Sequence, residues 1–141
     1  MPDGADTIVL VHGLWLTPLS WETWTDRYQS KGYKVLAPAW PGMGGEIDDV
    51  RRNPKPYERL GVGEIAVHYE RIISELEKPP IIVGHSFGGL LTEILLDRGL
   101  GAAGVAISPA PIKGIYFLPP SAFKVASVAL RNPANRKRRS R

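Results

Sequence analysis

The chain has 141 residues, of which 43% are hydrophobic and 23% are charged, a composition typical of one modest water-soluble domain. It contains no cysteine, which excludes disulfides and thiolate metal sites and fits a reducing compartment. No apolar run approaches the ~20 residues that a transmembrane helix needs, and the first residues lack the pattern of a signal peptide. We therefore expect a cytoplasmic protein with no membrane partner.

The net charge of +4 is concentrated at one end of the chain. Residues 131–141 contain six Lys or Arg and no acid, whereas the preceding residues carry 12 basic and 14 acidic side chains. A basic run of this kind binds nucleic acid or an anionic surface in some proteins, but it is more typical of a solvated terminus. We predict a disordered tail over 131–141 and expect no nucleic-acid partner.

The first part of the chain has the pattern of a strand, a helix and a second strand. Residues 7–11 form a β-branched apolar run, which predicts a strand buried on both faces. Residues 20–30 begin with Ser20, a favourable N-cap, and have helical apolar spacing. Residues 33–37 predict the next strand, so the segment reads as one βαβ unit.

Further along, helical and strand patterns continue to alternate. Residues 46–60 are polar and contain prolines, which predicts a surface loop. The later elements are predicted at 62–78 (helix), 81–83 (strand), 88–98 (helix) and 104–108 (strand). This alternation predicts a three-layer α/β/α fold with a mostly parallel sheet over residues 1–112.

A G-x-S-x-G motif lies between the third predicted strand and the helix that follows it. It consists of Gly84, His85, Ser86, Phe87 and Gly88. A sharp strand-to-helix turn of this type exposes the serine hydroxyl, and the glycines allow neighbouring chains to pass closely. The helix N-terminus favours developing negative charge, and the backbone N–H of Phe87 is a candidate oxyanion donor. The motif therefore predicts a nucleophile elbow with Ser86 as the nucleophile.

A second motif, His12-Gly13, directly follows the first predicted strand. Because of this motif and the predicted nucleophile elbow together, residues 6–112 resemble the serine-nucleophile branch of the α/β-hydrolase superfamily. The resemblance implies that the loop after the first strand supplies a second oxyanion N–H, from Leu14 or, alternatively, Trp15. It also implies hydrolysis of carboxylic esters or related acyl compounds through a serine acyl-enzyme, without a metal or other cofactor. The residues that support the elbow and the oxyanion loop are His12, Gly13, Gly84, His85 and Gly88.

The sequence departs from this family in its triad. In the family, an acid and then a histidine follow the serine, but no histidine follows Ser86 in this chain. The chain's histidines are His12 in the oxyanion loop, His68 on a predicted helix and His85 beside the nucleophile. Asp97 lies at the end of the elbow helix and is not assigned to catalysis. We find no triad acid or base in these 141 residues.

Residues 113–130 resemble the start of a cap or lid over the site, and the basic tail follows them directly. We therefore expect a truncated hydrolase that is weakly active or inactive and whose ligand is a small acyl compound. The alternative is a non-catalytic interaction module that uses an exposed sheet edge, through which it could self-associate, or the basic tail.

Two weaker patterns predict structure rather than binding. Gly61-x-Gly63-x-x-Ala66 imitates a dinucleotide fingerprint, but no strand pattern precedes it, so we interpret it as the start of a helix. Trp21 and Trp24 lie at helical spacing and are more typical of core packing than of a ligand platform.

Overall fold

The computed structural model describes residues 4–14, 16–42 and 60–111. Its elements follow the predicted alternation of strands and helices. In chain order they are β1 (Thr7–Val11), a 3₁₀ helix (Pro18–Trp21), α1 (Glu22–Gln29), β2 (Lys34–Leu36), α2 (Val62–Ser74), β3 (Ile81–His85), α3 (Phe87–Asp97) and β4 (Ala103–Ile107).

The four strands form one sheet in the order β2-β1-β3-β4, and every neighbouring pair is parallel. All five residues of β1 are buried, as its apolar β-branched sequence predicts for a strand covered on both faces. The predicted parallel α/β sheet is confirmed. Because the strands are parallel, their carboxyl ends meet along one edge of the sheet.

Helices cover both faces of the sheet, and the alternation of side chains along β1 separates the two layers. Val9 and Val11 belong to the apolar core that α2 and α3 complete, with Tyr69 and Leu95 fully buried there. On the opposite face the core contains the side chains of Ile8, Leu10, Trp21 and Val83. The result is the predicted three-layer arrangement.

The helix predicted over 20–30 begins differently from the prediction. Pro18 starts a 3₁₀ turn, and the α-helix starts only at Glu22. Proline favours the first position of a helical turn because it lacks the N–H that would have no partner there. The prediction that Ser20 is the N-cap is wrong, because its hydroxyl donates backwards to the Thr17 carbonyl over 2.8 Å.

Two other boundaries also differ from the predictions. The helix predicted over 62–78 ends at Ser74, before the two prolines that were expected to stop it. The strand predicted over 81–83 continues to His85, because β1 pairs with it as far as Gly84 and β4 as far as His85. The longer strand carries the chain directly to Ser86.

Several predictions lie outside the described residues. They are the surface loop over 46–60, except for its last residue, the cap segment 113–130 and the tail 131–141. Across the part of the chain that the structure describes, no helix combines the length and the apolar character needed to cross a bilayer.

Candidate active site

Ser86 adopts a backbone conformation that few residues other than glycine accept. It lies between the last residue of β3 and the first residue of α3, with φ 57° and ψ −118°. Such a conformation costs about 1–3 kcal/mol and persists only where the surrounding structure enforces it. The strain identifies Ser86 as the residue at the tip of the turn.

Hydrogen bonds from later residues hold the Ser86 backbone in place. Its N–H donates to the Ile107 carbonyl at the end of β4 over 3.0 Å. Its carbonyl accepts from the N–H groups of Gly89 at 3.0 Å, Leu90 at 3.2 Å and Ala110 at 2.9 Å. The turn is therefore fixed both by α3 and by the segment that follows β4.

Two glycines of the motif permit the close packing around the serine. A Cβ on Gly84 would collide with the Gly88 carbonyl, and a Cβ on Gly88 would collide with the Val11 carbonyl on β1. Since these obstacles are backbone atoms, they cannot rotate away as the end of a side chain can. Gly84 and Gly88 thus allow β1, β3 and α3 to meet at the elbow.

The loop after β1 passes directly against the serine. A Cβ on Gly13 would lie 3.2 Å from the Ser86 Cβ and 3.1 Å from the His85 carbonyl oxygen. Leu14 follows Gly13 and has 36% of its surface exposed. Phe87 is the first residue of α3, so its N–H has no partner within the helix. Leu14 and Phe87 therefore remain the predicted oxyanion donors, while Trp15 lies outside the described residues.

His12 is completely buried, and both of its ring nitrogens are hydrogen-bonded. The backbone N–H of Trp40 donates to the His12 Nε2 over 3.3 Å, so Nε2 carries no proton. The proton is therefore on Nδ1, which donates to the Gly13 carbonyl over 3.0 Å. The His12 ring stacks on Trp40 with a centroid distance of 5.0 Å, and Trp40 also contacts Phe87 edge-to-face. Burial lowers the pKa of His12 below its ordinary value, although the Gly13 carbonyl opposes this effect. His12 is therefore a neutral anchor of the loop and is not free to act as a base.

The other histidines do not form a triad within the described residues. The His68 Nε2 lies 2.9 Å from the Ala39 carbonyl and donates to it. His85 is exposed beside Ser86, and Asp97 is exposed at the far end of α3. In the described ranges, no hydrogen bond or ion pair joins a histidine to a carboxylate, and no group of three acidic, Cys or His side chains is suited to hold a metal ion.

A cavity of about 220 Å³ lies beside the elbow, on the face of the sheet that α1 covers. The prediction of core packing for the Trp21–Trp24 pair holds for Trp21, which is 5% exposed, but Trp24 is 38% exposed. Sequence reasoning missed the cavity, although the pair of tryptophans was the signal for it. Its walls are formed by His12, Gly13, Leu16, Ser20, Trp21, Trp24, His85 and Ile107.

A model of the alpha/beta hydrolase family matches residues 8–140. The chain belongs to this family. Among solved structures, an extracellular alpha/beta-hydrolase from a Paenibacillus species superposes with a TM-score of 0.66 at 23% identity, over 92% of this chain and 52% of that chain. A monoacylglycerol lipase from Paleococcus ferrophilus superposes with a TM-score of 0.59 at 27% identity, over 89% of this chain and 46% of that chain.

A solved thioesterase domain also has this fold. A thioesterase domain from the curacin biosynthetic pathway superposes with a TM-score of 0.58 at 20% identity, over 91% of this chain and 44% of that chain. No curated protein sequence matches the chain. The chain spans about half the length of these three solved structures.

Proposed function

We propose that this chain carries the nucleophile of a serine hydrolase that acts on carboxylic esters or related acyl compounds. The strained Ser86 backbone at the start of α3 is the observation that carries the proposal. The strain has a chemical use at this position, because it presents a hydroxyl at a helix N-terminus where negative charge is favoured. The similarity to a monoacylglycerol lipase at 27% identity supports an ester as the substrate.

In the proposed reaction, the Ser86 Oγ attacks the carbonyl carbon of the ester and gives up its proton to a base. The N–H groups of Phe87 and Leu14 donate to the oxygen that becomes negatively charged. Collapse of the tetrahedral intermediate releases the alcohol, which takes up the proton, and leaves an acyl group on Ser86. Attack by water then releases the carboxylic acid and restores the serine.

This mechanism needs a general base, and none of the chain's histidines is assigned to that role. Both ring nitrogens of His12 and the Nε2 of His68 are hydrogen-bonded to backbone groups, and no histidine follows Ser86. A serine site without its base keeps a rate enhancement of about 10³–10⁴ over water, from oxyanion stabilisation and substrate binding. We therefore propose that Ser86 is acylated slowly by this chain and that the acyl-enzyme accumulates.

Acylation of Ser86 by p-nitrophenyl butyrate tests the proposal. We expect intact mass spectrometry to detect one butyryl group, which peptide mapping assigns to Ser86, and we expect Ser86→Ala to lose it. Ser108 is the matched control, because it also has a positive φ, 44°, but begins no helix. We expect Ser86 to react about 10²-fold faster than Ser108, the effect of an oxyanion donor.

Equal labelling of Ser86 and Ser108 would contradict the proposed function. Rapid multiple turnover that Ser86→Ala abolishes would support the nucleophile but would contradict the slow deacylation. In that case the same assay on His85→Ala would test the exposed histidine beside the serine as the base.

A second candidate function, self-association through the sheet edge, is favoured by one observation. Val105 lies on β4, an outer strand of the described sheet, and 51% of its surface is exposed. An exposed apolar edge strand pairs readily with another strand, and a lysine on the edge opposes this pairing. We expect a dimer in analytical ultracentrifugation that Val105→Lys converts to monomer. A monomeric parent chain at ~100 μM would exclude this candidate at affinities of biological interest.

A further inference from the structure

Trp40 contacts both of the segments that carry the predicted oxyanion donors. Its side chain is buried, and its ring stacks on His12, which comes two residues before Leu14 in the loop after β1. The same ring meets Phe87 edge-to-face, with a centroid distance of 6.2 Å and an angle of 61° between the planes. Trp40 therefore links the loop after β1 to the first residue of α3.

The His12 ring fixes the direction of the Leu14 N–H. The His12 Nδ1–H donates to the Gly13 carbonyl over 3.0 Å, and the Leu16 N–H donates to the same oxygen over 3.3 Å. The Gly13 carbonyl and the Leu14 N–H belong to one planar trans peptide, in which the two groups point in opposite directions. The orientation of the His12 ring is thus passed on to the predicted donor.

The segment that carries Trp40 is itself held in place by α2. The Pro38 carbonyl accepts a hydrogen bond from the Tyr69 hydroxyl over 2.7 Å. The Ala39 carbonyl accepts one from the His68 Nε2 over 2.9 Å. Because the two residues before Trp40 are both bonded to α2, its ring is a fixed support for the groups that pack against it.

Two oxyanion donors act together only when both reach the same oxygen. Each N–H must lie about 2.7–3.1 Å from the developing oxyanion, so a small shift of one segment against the other weakens the stabilisation. Backbone contacts at Gly13 and Gly88 limit how closely the two segments approach, but they do not fix the orientation of the His12 ring. The contacts of Trp40 with His12 and Phe87 restrict the motion that remains.

We propose that Trp40 is a positioning residue that holds the Leu14 and Phe87 N–H groups in the relative orientation that one oxyanion requires. The positioning follows from the contacts of Trp40 with His12 and Phe87. That the positioned N–H groups stabilise an oxyanion rests on the function proposed above.

Single-turnover acylation of Ser86 by p-nitrophenyl butyrate tests the proposal. Trp40→Leu removes the stacking ring, and Trp40→Phe keeps an aromatic ring in its place. We expect Trp40→Leu to lower the limiting acylation rate about tenfold and to leave the half-saturating ester concentration within about twofold of the parent value, because the lost interaction is made only in the transition state. Trp40→Phe should restore most of the lost rate.

Two further variants separate positioning from a general loss of stability. Ile73→Ala is the matched control, because Ile73 is buried in the same apolar core as Trp40 but lies in the last turn of α2. It should destabilise the chain in urea unfolding without slowing acylation. Phe87→Leu keeps the backbone N–H at a partly buried position but removes the ring that Trp40 meets, and should slow acylation about threefold.

An unchanged limiting rate in Trp40→Leu would overturn the proposal, and so would an equal loss of rate in Ile73→Ala. If Trp40→Leu does not fold, Phe87→Leu decides: a lowered limiting rate at an unchanged half-saturating concentration supports the proposal, and an unchanged rate overturns it.

A spectroscopic measurement on the Ser86→Ala chain does not depend on acylation. In ¹H–¹⁵N spectra of the imidazole groups, we expect a resolved His12 Nδ1–H signal that persists when Ile73→Ala is added and is lost to exchange with water when Trp40→Leu is added. Loss of the signal only with Trp40→Leu supports the positioning, even if the parent chain is not acylated, a result that would sink the proposed function alone. A signal that is equally sharp with Trp40→Leu overturns the positioning.

Discussion

Replacing Gly88 with alanine is expected to lower the free energy of unfolding by about 4 kcal/mol or more. The added Cβ would collide with the Val11 carbonyl and would lie 2.7 Å from the His12 carbonyl oxygen. Both obstacles are backbone oxygens, one on the last residue of β1 and one on the residue after it. Since β1 is an inner and fully buried strand, α3 would have to move away from the sheet. Overpacking against atoms that cannot rotate is among the few single changes that reach this magnitude.

Urea unfolding followed by circular dichroism measures the effect of Gly88→Ala, and Gly63→Ala is its matched control. Gly63 lies in the first turn of α2, and a Cβ there would meet nothing within 4 Å. The control should raise the free energy of unfolding by about 0.5–1 kcal/mol, because alanine favours a helix over glycine. If Gly88→Ala stayed within ~1 kcal/mol of the parent chain, the close approach of α3 to β1 would be wrong.

Removing the His12 side chain is expected to have the next largest effect. His12→Ala would leave the Trp40 N–H and the Gly13 carbonyl without their partner and would open a cavity in a fully buried position. We expect a loss of about 2–4 kcal/mol in the same urea measurement. His12→Gln keeps an amide that can donate and accept, so it should lose less than His12→Ala. Equal losses would show that the aromatic ring, which stacks on Trp40, and not the hydrogen bonds, determines the role of His12.

The same residue should make the fold less stable in mild acid. Burial lowers the pKa of His12 in the folded chain below its unfolded value of about 6.5. Below that pH, the unfolded chain therefore binds a proton that the folded chain does not, and the free energy of unfolding falls as the pH falls towards the folded pKa. The slope contributed by one such group approaches 1.4 kcal/mol per pH unit, about one tenfold change in equilibrium constant.

Urea unfolding of the parent chain and of His12→Gln from pH 8 to pH 5 isolates this contribution. His68 and His85 are present in both chains, so the difference between the two curves belongs to His12. We expect the curves to run parallel above pH 7 and the parent chain to lose stability more steeply below about pH 6.5. Parallel curves over the whole range would contradict the lowered pKa.

The sheet and the elbow were predictable because their causes are local. The apolar run of β1 allows little besides a buried strand, and Gly84 and Gly88 mark the places where the backbones of β1, β3 and α3 approach one another. The N-cap role predicted for Ser20 failed for a local reason too, since Pro18 starts the turn earlier. Pro18 lies two residues before the predicted N-cap and indicates an earlier start of the helical turn, which the prediction did not take into account.

Long-range contacts account for what the sequence pattern did not predict. The partner of His12 is Trp40, and the two residues come together only when β1 and the segment after β2 are packed side by side. The cavity depends on Trp21 from one end of the chain and Ile107 from the other. Spacing within one helix or strand carries no information about such pairs, so they appear only in the folded chain.

The hydrogen bonds that hold Ser86 have a consequence for the order in which the fold forms. They come from Ile107 and Ala110 as well as from α3, and both residues follow the serine in the chain. During synthesis from the N-terminus, the whole elbow motif is therefore present before the residues that hold its strained turn. Until β4 pairs with β3, the hydrogen bond from the Ser86 N–H to the Ile107 carbonyl cannot hold the turn. We expect the strained geometry of Ser86 to be acquired late in folding, after the inner strands have already assembled.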